Sequence, residues 1–394
     1  MMKARHLLAL LVLAAAALPP AVAEHTDHGA DKAARAPLAL GVASAPDGAL
    51  WIAGVNAAGR LFLQSTRDLG RTWTAPAVLD TSGDVIAAEG ESRPAIAFGK
   101  AGTVIVSYTQ PLSKPYTGNI RLLRSTDGGA HFAPPLTVHD DRQEITHRFA
   151  SMAFDAKGDF TIVWIDKRDQ LRAGKADYAG AAVYGKVSHD GGRTFGADLP
   201  LAEHSCECCR IALAEQPGTG LVALWRHVFE GNVRDHAFLP LRELGKGTRP
   251  VRATTDGWVI AACPHHGPGL SPASDGGFHA VWFGVRPDGT TAHYGRLAAD
   301  GKPIGRVREL PDAGAEHADV LADGRRVGIV WRSFDGQATR LRAWISADDG
   351  EHFKLRELGS TTEENDHPRI LKTGGELVVV WRRENAIEVH RVGT

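Results

Sequence analysis

The 394-residue chain carries 45 basic and 46 acidic side chains, a formal net charge of −1. Such a balance supplies no basic field to hold nucleic acid and no acidic tail, so nucleic-acid binding is excluded. The longest apolar run covers about a dozen residues, short of the roughly 20 that a membrane-spanning helix needs, and no membrane span is expected.

In chain order, the first feature is a targeting segment. Lys3 and Arg5 give a positive start, residues 7–18 an apolar run, and Ala21-Val22-Ala23 a small-residue cleavage signal. Residues 1–23 therefore read as a signal peptide, and the mature protein is expected in the periplasm or secreted. No cysteine stands beside the cleavage site to carry a lipid anchor. Residues 24–36 form a flexible segment in which His25 and His28 flank Asp27, a composition where copper could first be caught. Residues 37–394 are read as one domain.

That domain is organised by repetition. A short apolar strand, a Gly or Asp turn and a second apolar strand ending in an aromatic recur seven times. The second strands are read at 49–51, 104–108, 161–164, 222–225, 279–282, 328–331 and 377–381. Their landmark aromatics, Trp51, Tyr108, Trp164, Trp225, Trp282, Trp331 and Trp381, recur about every 50 to 60 residues, the period of propeller blades. Helical periodicity is missing after the signal peptide. The expected fold is all-β: a β-propeller of four-stranded antiparallel blades. Seven blades are expected, or six if the last repeat closes onto the first. The seventh repeat ends after about three strands unless residues near the mature N-terminus complete it.

In four repeats the third strand runs into one kind of turn, with Asp68, Asp127, Asp190 and Asp348 followed by Gly70, Gly129, Gly192 and Gly350 and then by an aromatic. The carboxylate can accept backbone N–H groups, glycine takes positive φ, and the aromatic packs between sheets. These turns resemble the Asp box, S-x-D-x-G-x-[TS]-[WF], of sialidases and related propellers, and the likeness covers the whole mature chain. The resemblance implies rim turns with a structural role, and it implies six blades where this chain has seven repeats. It also implies a catalytic set of three arginines, a Tyr–Glu nucleophile pair and an Asp acid/base. The arginine expected at the start of the propeller is missing from 37–42, and Arg93 is the nearest candidate. Tyr108 reads as core, while Tyr116, Tyr178, Tyr184 and Tyr294 carry no motif, so the catalytic constellation is not evident.

The densest chemistry lies in Cys206, Cys208, Cys209 and Arg210, and in Cys263, His265 and His266. Cys206 stands nineteen residues before Trp225 and Cys263 nineteen before Trp282, so in one register Cys208 matches His265, Cys209 matches His266 and Arg210 matches Gly267. Both segments precede the innermost strands of adjacent blades and should meet at one end of the channel. His147, Arg148, His317 and His367 precede or begin other inner strands. Thiolates and imidazoles together suit copper or zinc. The six candidate ligands are Cys206, Cys208, Cys209, Cys263, His265 and His266, of which three or four would hold one ion. No histidine follows the C-x-x-C, so haem is not expected, and neither is a nucleotide. The competing reading is structural, with a Cys206–Cys263 disulfide and a Cys208–Cys209 vicinal bridge.

The segments C-x-C-C-R and C-P-H-H-G-P, with Arg234-Asp235-His236 between them, are similar to those of a group of exported bacterial proteins classed with sialidases. That likeness brings motifs and no activity. Arg210, Arg234, Asp235 and His236 are candidates to support the ligands, Asp235 by orienting an imidazole, or else to form ion pairs within a blade. Three functions follow: a monomeric extracytoplasmic propeller that handles a metal ion or small ligand in its channel, a glycan-cleaving enzyme of sialidase type, or a non-enzymatic interaction platform stapled by disulfides.

Overall fold

A computed structural model describes residues 37–174, 178–241, 249–287 and 289–393. The signal peptide and the segment with His25 and His28 lie outside these residues.

Seven antiparallel sheets follow one another along the chain, each built in up-and-down order. Their first strands are Gly41–Ser44, Ala95–Phe98, His147–Phe154, Ala212–Gln216, Gly269–Pro272, Glu316–Asp323 and Arg369–Thr373. Residues from all seven line one central cavity, so these strands are the innermost of a ring. The ring closes between the last sheet and the first. There Leu40 donates its backbone N–H to Asp366 Oδ2 at 2.9 Å, and Thr373 Oγ1 donates to the Gly48 carbonyl at 2.7 Å. Leu50 packs beside Leu371, Val378 and Val380 in the seam. The fold is a seven-bladed β-propeller, which settles the choice between six and seven. Six sheets have four strands, and among the described residues the seventh has three.

The second strands are buried on both faces because each sheet is covered by two neighbours. Phe160–Asp166 is buried throughout its length, and Val163 and Ile165 join Ala223 and Trp225 of the next sheet in one cluster. This two-sided burial is why these strands read as continuous apolar runs and not as alternation. Six landmark aromatics lie in the core, from Tyr108 to Trp381. Four of their indole N–H groups find acceptors, Trp164 on Asp166 at 2.9 Å, Trp282 on Asp256 at 2.7 Å, Trp331 on Asp312 at 2.6 Å and Trp381 on the Asp366 carbonyl at 3.1 Å, while that of Trp225 has none among the described residues. Truncating such a ring to alanine costs about 3–5 kcal/mol.

Trp51 departs from the expected pattern. It is the second residue of Leu50–Val55 and only half-buried, with its ring on Phe98 of the next sheet. Gly54 occupies the landmark place in that strand, because Leu40 and Phe62 already fill the space: a Cβ there would stand 2.6 Å from Leu40.

The four rim turns share one hydrogen-bond pattern. A Thr or Ser hydroxyl donates to the Asp Oδ1 at 2.7–2.8 Å, and that oxygen also accepts the backbone N–H four residues beyond the Asp, in Thr72, His131, Thr194 and His352. Hydrogen bonds from Thr72 hold Asp68 down to about 2, and equivalent bonds hold Asp127, Asp190 and Asp348 lower still. Each turn also touches the preceding sheet. Cβ atoms on Gly129, Gly192 and Gly350 would meet Trp51, Ile105 and Tyr294 at 3.1, 2.5 and 2.1 Å. The turns fasten sheet to sheet, and none of the four aspartates lines the central cavity. The described residues contain one short α-helix, Arg168–Ala173, and none long and apolar enough to cross a membrane.

Candidate metal centre at the channel end

The segments preceding the inner strands converge through ion pairs between residues far apart in sequence. Arg210 Nη1 lies 3.0 Å from both oxygens of Glu91, and Gly267 donates its N–H to Glu91 Oε1 at 3.2 Å. Arg93 grips Asp366 with both Nη atoms at 2.9 and 3.0 Å, and Arg369 stands 3.8 Å from Asp319. Burial alone would raise the Glu91 carboxyl, but Arg210 overrides it and holds it well below the usual carboxylate range. Burial and the charges of Arg210 and Arg93 push Arg369 down to about 9. The register that equated Arg210 with Gly267 is realised as contact between them.

Within that frame the thiol-rich segment forms a compact cluster. The sulfurs of Cys206, Cys208 and Cys209 lie 3.6, 3.8 and 4.0 Å apart, and all three residues are buried. Cys263 is exposed and interacts with Cys208. Arg234 Nη1 donates to Cys206 Sγ at 3.7 Å. Hydrogen bonds from Cys208 and Cys209, aided by Arg226 and Arg234, hold the Cys206 thiol well below its ordinary value. The contact with Cys206, together with burial, pushes the Cys208 and Cys209 thiols up. All four cysteines are free, so neither expected bridge is seen, and the Cys208 and Cys209 sulfurs at 3.8 Å stand far beyond the roughly 2.05 Å of an S–S bond.

The expected single Cys/His site divides in two. His266 groups with Glu316 and His317 and not with the sulfurs: its ring stacks on Phe283, with centroids 3.9 Å apart, and meets that of His317 at 4.1 Å, tilted by 31°. His317 in turn stacks on His367. His265 is exposed, with a left-handed backbone at φ 55°. The ligand atoms of Cys206, Cys208 and Cys209 form one compact group, those of Glu91, His317 and His367 a second, and those of His266, Glu316 and His317 a third that shares His317.

Of the candidate supporting residues, Arg234 touches a sulfur and Arg210 secures Glu91. Asp235 is buried but accepts from Arg252 and from the Gly257 N–H, so it makes an ion pair within the blade and orients no ligand imidazole. His236 is buried between Thr254 and Trp282. Glu91, Glu316 and Asp366 were not anticipated. A partial signal existed: the position fifteen residues before the landmark aromatic is charged in four of the seven repeats, as Arg93, Arg210, Glu316 and Asp366, while two others hold Phe149 and Gly267.

The central cavity has a volume of about 320 Å³ and is lined by Glu91, Arg93, Arg210, Asp319 and Arg369 among apolar inner-strand residues, with no tyrosine. Tyr184 instead donates to Asp169, and Tyr294 is paired with His279.

No family model and no curated protein matches the sequence. Solved structures do match in fold. The polysaccharide lyase Uly1 superposes with a TM-score of 0.58 at 10% identity, over 95% of this chain and 94% of that one. The GH93 α-L-arabinofuranosidase of Fusarium graminearum gives 0.52 at 12%, over 90% and 92%. An intramolecular trans-sialidase from Ruminococcus gnavus gives 0.49 at 10%, over 79% and 96%, too slight a likeness to carry an argument. At these identities the shared property is the fold: a β-propeller of the kind found among glycan-cleaving hydrolases and lyases.

Proposed function

We propose that this chain is an extracytoplasmic propeller that binds a soft metal ion, copper(I) or zinc, through the thiols of Cys206, Cys208 and Cys209, with Cys263 as the fourth donor. One observation carries the reading. Three sulfurs around a single ion at a metal–sulfur distance of about 2.3 Å in tetrahedral geometry stand about 3.8 Å apart, and the separations here are 3.6, 3.8 and 4.0 Å. Arg234 beside Cys206 favours the thiolate that a metal requires. Outside the cytoplasm three adjacent free thiols tend to oxidise, and a bound ion would protect them. The test is metal content and free-thiol count of protein purified from the periplasm, beside Cys206→Ser and Cys209→Ser. About one ion per chain is expected, falling at least tenfold in either variant. A metal-free wild type with oxidised cysteines would remove the reading.

A second reading is a glycan-cleaving enzyme, favoured by the likeness in fold to Uly1. Against it, the channel guanidiniums are already committed: Arg210 to Glu91, Arg93 to Asp366 and Arg369 to Asp319. None is left unpaired to clamp a sugar carboxylate, and no tyrosine lines the cavity to act as nucleophile. Turnover of sialosides, arabinosides or polyuronates by the purified protein would reinstate it.

A further inference from the structure

We infer that the channel end carries a second metal site, separate from the thiols, in which His317, His367 and Glu91 hold a divalent first-row transition ion. Glu91 and both histidines are more than nine-tenths buried. The Nδ1 atoms of His317 and His367 are buried and make no hydrogen bond among the described residues, and the same holds for His266 Nδ1. A buried polar atom without a partner costs about 1–3 kcal/mol, so three imidazole nitrogens meeting around His317 call for a ligand. Glu91 Oε1 lies 3.6 Å from His317 Nδ1 and 3.7 Å from His367 Nδ1, beyond hydrogen-bond length. Donors that share one ion in tetrahedral geometry at about 2.0–2.2 Å stand roughly 3.3–3.6 Å apart, and the two separations lie at or just beyond the upper end of that range.

Local backbone geometry aims these groups. His317 has φ 51° and lies in the register shift between Glu316 and Asp319, a bulge that redirects one side chain out of the strand pattern. Arg210 and the Gly267 N–H fix the Glu91 carboxylate, so the imidazoles face a preset anion. His266 and Glu316 are half-buried and belong to the overlapping group through His317, and they mark the solvent-side approach to the inner group. Nitrogen and oxygen donors select a borderline divalent ion such as Zn(II), Cu(II) or Ni(II), whereas the thiol trio also suits Cu(I).

Cobalt(II) added to the full mature chain is a suitable probe, because sulfur-ligated Co(II) shows intense charge-transfer absorption and nitrogen/oxygen-ligated Co(II) does not. His25→Ala and His28→Ala remove competing N-terminal imidazoles. The expected result is one equivalent of Co(II) without sulfur charge transfer, retained in Cys206→Ser and weakened at least tenfold in His317→Gln and His367→Gln. As a measurement independent of those variants' folding, the Co(II)-loaded protein with native His317 and His367 should show at least two hyperfine-shifted, exchangeable imidazole N–H protons. Absence of sulfur-free Co(II), of those resonances, or of any change in folded His317→Gln and His367→Gln overturns the assignment. Loss of the sulfur-ligated band alone would count against the thiol site and leave this one standing.

Discussion

Gly267 is pressed so closely onto Arg210 that a Cβ at Gly267 would stand 2.2 Å from Arg210 Cγ and 2.9 Å from its backbone nitrogen. This contact joins the imidazole-rich segment to the thiol-rich one, and Glu91 clasps both. Gly267→Ala should therefore displace Arg210 and lower stability by about 1–3 kcal/mol, as overpacking does. Denaturant unfolding of the variant checks this, and an unchanged midpoint would show that the two segments can part freely.

Arg210→Met should be more damaging, because it leaves the carboxylate of Glu91 buried beside a lost partner. Breaking a buried pair in this way costs about 3–5 kcal/mol. Adding Glu91→Gln should recover part of that loss by removing the stranded charge, and a double-mutant cycle in urea measures the recovery. If the double variant is no better than the single one, the pair is not the source of the effect.

Asp68, Asp127, Asp190 and Asp348 are all held below the ordinary carboxylate range by hydrogen bonds to their ionised form. Their folded values lie below the unfolded one of about 3.9. The stability they confer is thus complete above about pH 4 and is lost as the pH falls toward 2 and beyond. The Tm gap between wild type and Asp348→Asn should be widest near neutrality and shrink on acidification. A gap independent of pH would mean that the charge contributes nothing.

At the tip of the same turn, Gly350 has φ 87°, and a Cβ would meet Tyr294 Oη at 2.1 Å. Gly350→Ala should loosen the fifth sheet from the sixth, and hydrogen exchange should quicken in Gly289–Leu297. Uniform exchange across all sheets would contradict a local fastening role.

In the metal-free protein Cys263 should react with a maleimide well before Cys206, Cys208 and Cys209, since it alone is exposed. Added Zn(II) should slow that reaction if Cys263 is the fourth donor. Mass spectrometry of partly labelled protein reads both effects, and labelling of Cys206 first would contradict the burial on which the cluster depends.

Much of the architecture was legible because two-sided burial makes the second strands apolar throughout, and six landmark aromatics keep one register. Only the landmark of the first blade was misassigned, because Gly54, which has no side chain to read, occupies that position in Leu50–Val55. At the channel end the register correctly matched Arg210 with Gly267. Side-chain direction was not legible: the left-handed backbone at His265 and the bulge at His317 send neighbouring imidazoles different ways. The pairs Arg210–Glu91 and Arg93–Asp366 join residues 119 and 273 positions apart. No local pattern announces such partners, although the charged residues fifteen positions ahead of four landmarks, Arg93, Arg210, Glu316 and Asp366, mark where to look.

X-ray absorption at the metal edge of the natively loaded, exported protein tests the central claim most directly. Three or four sulfur neighbours at about 2.3 Å are expected, reduced by one in Cys209→Ser. A first shell of nitrogen and oxygen alone would contradict the thiol centre.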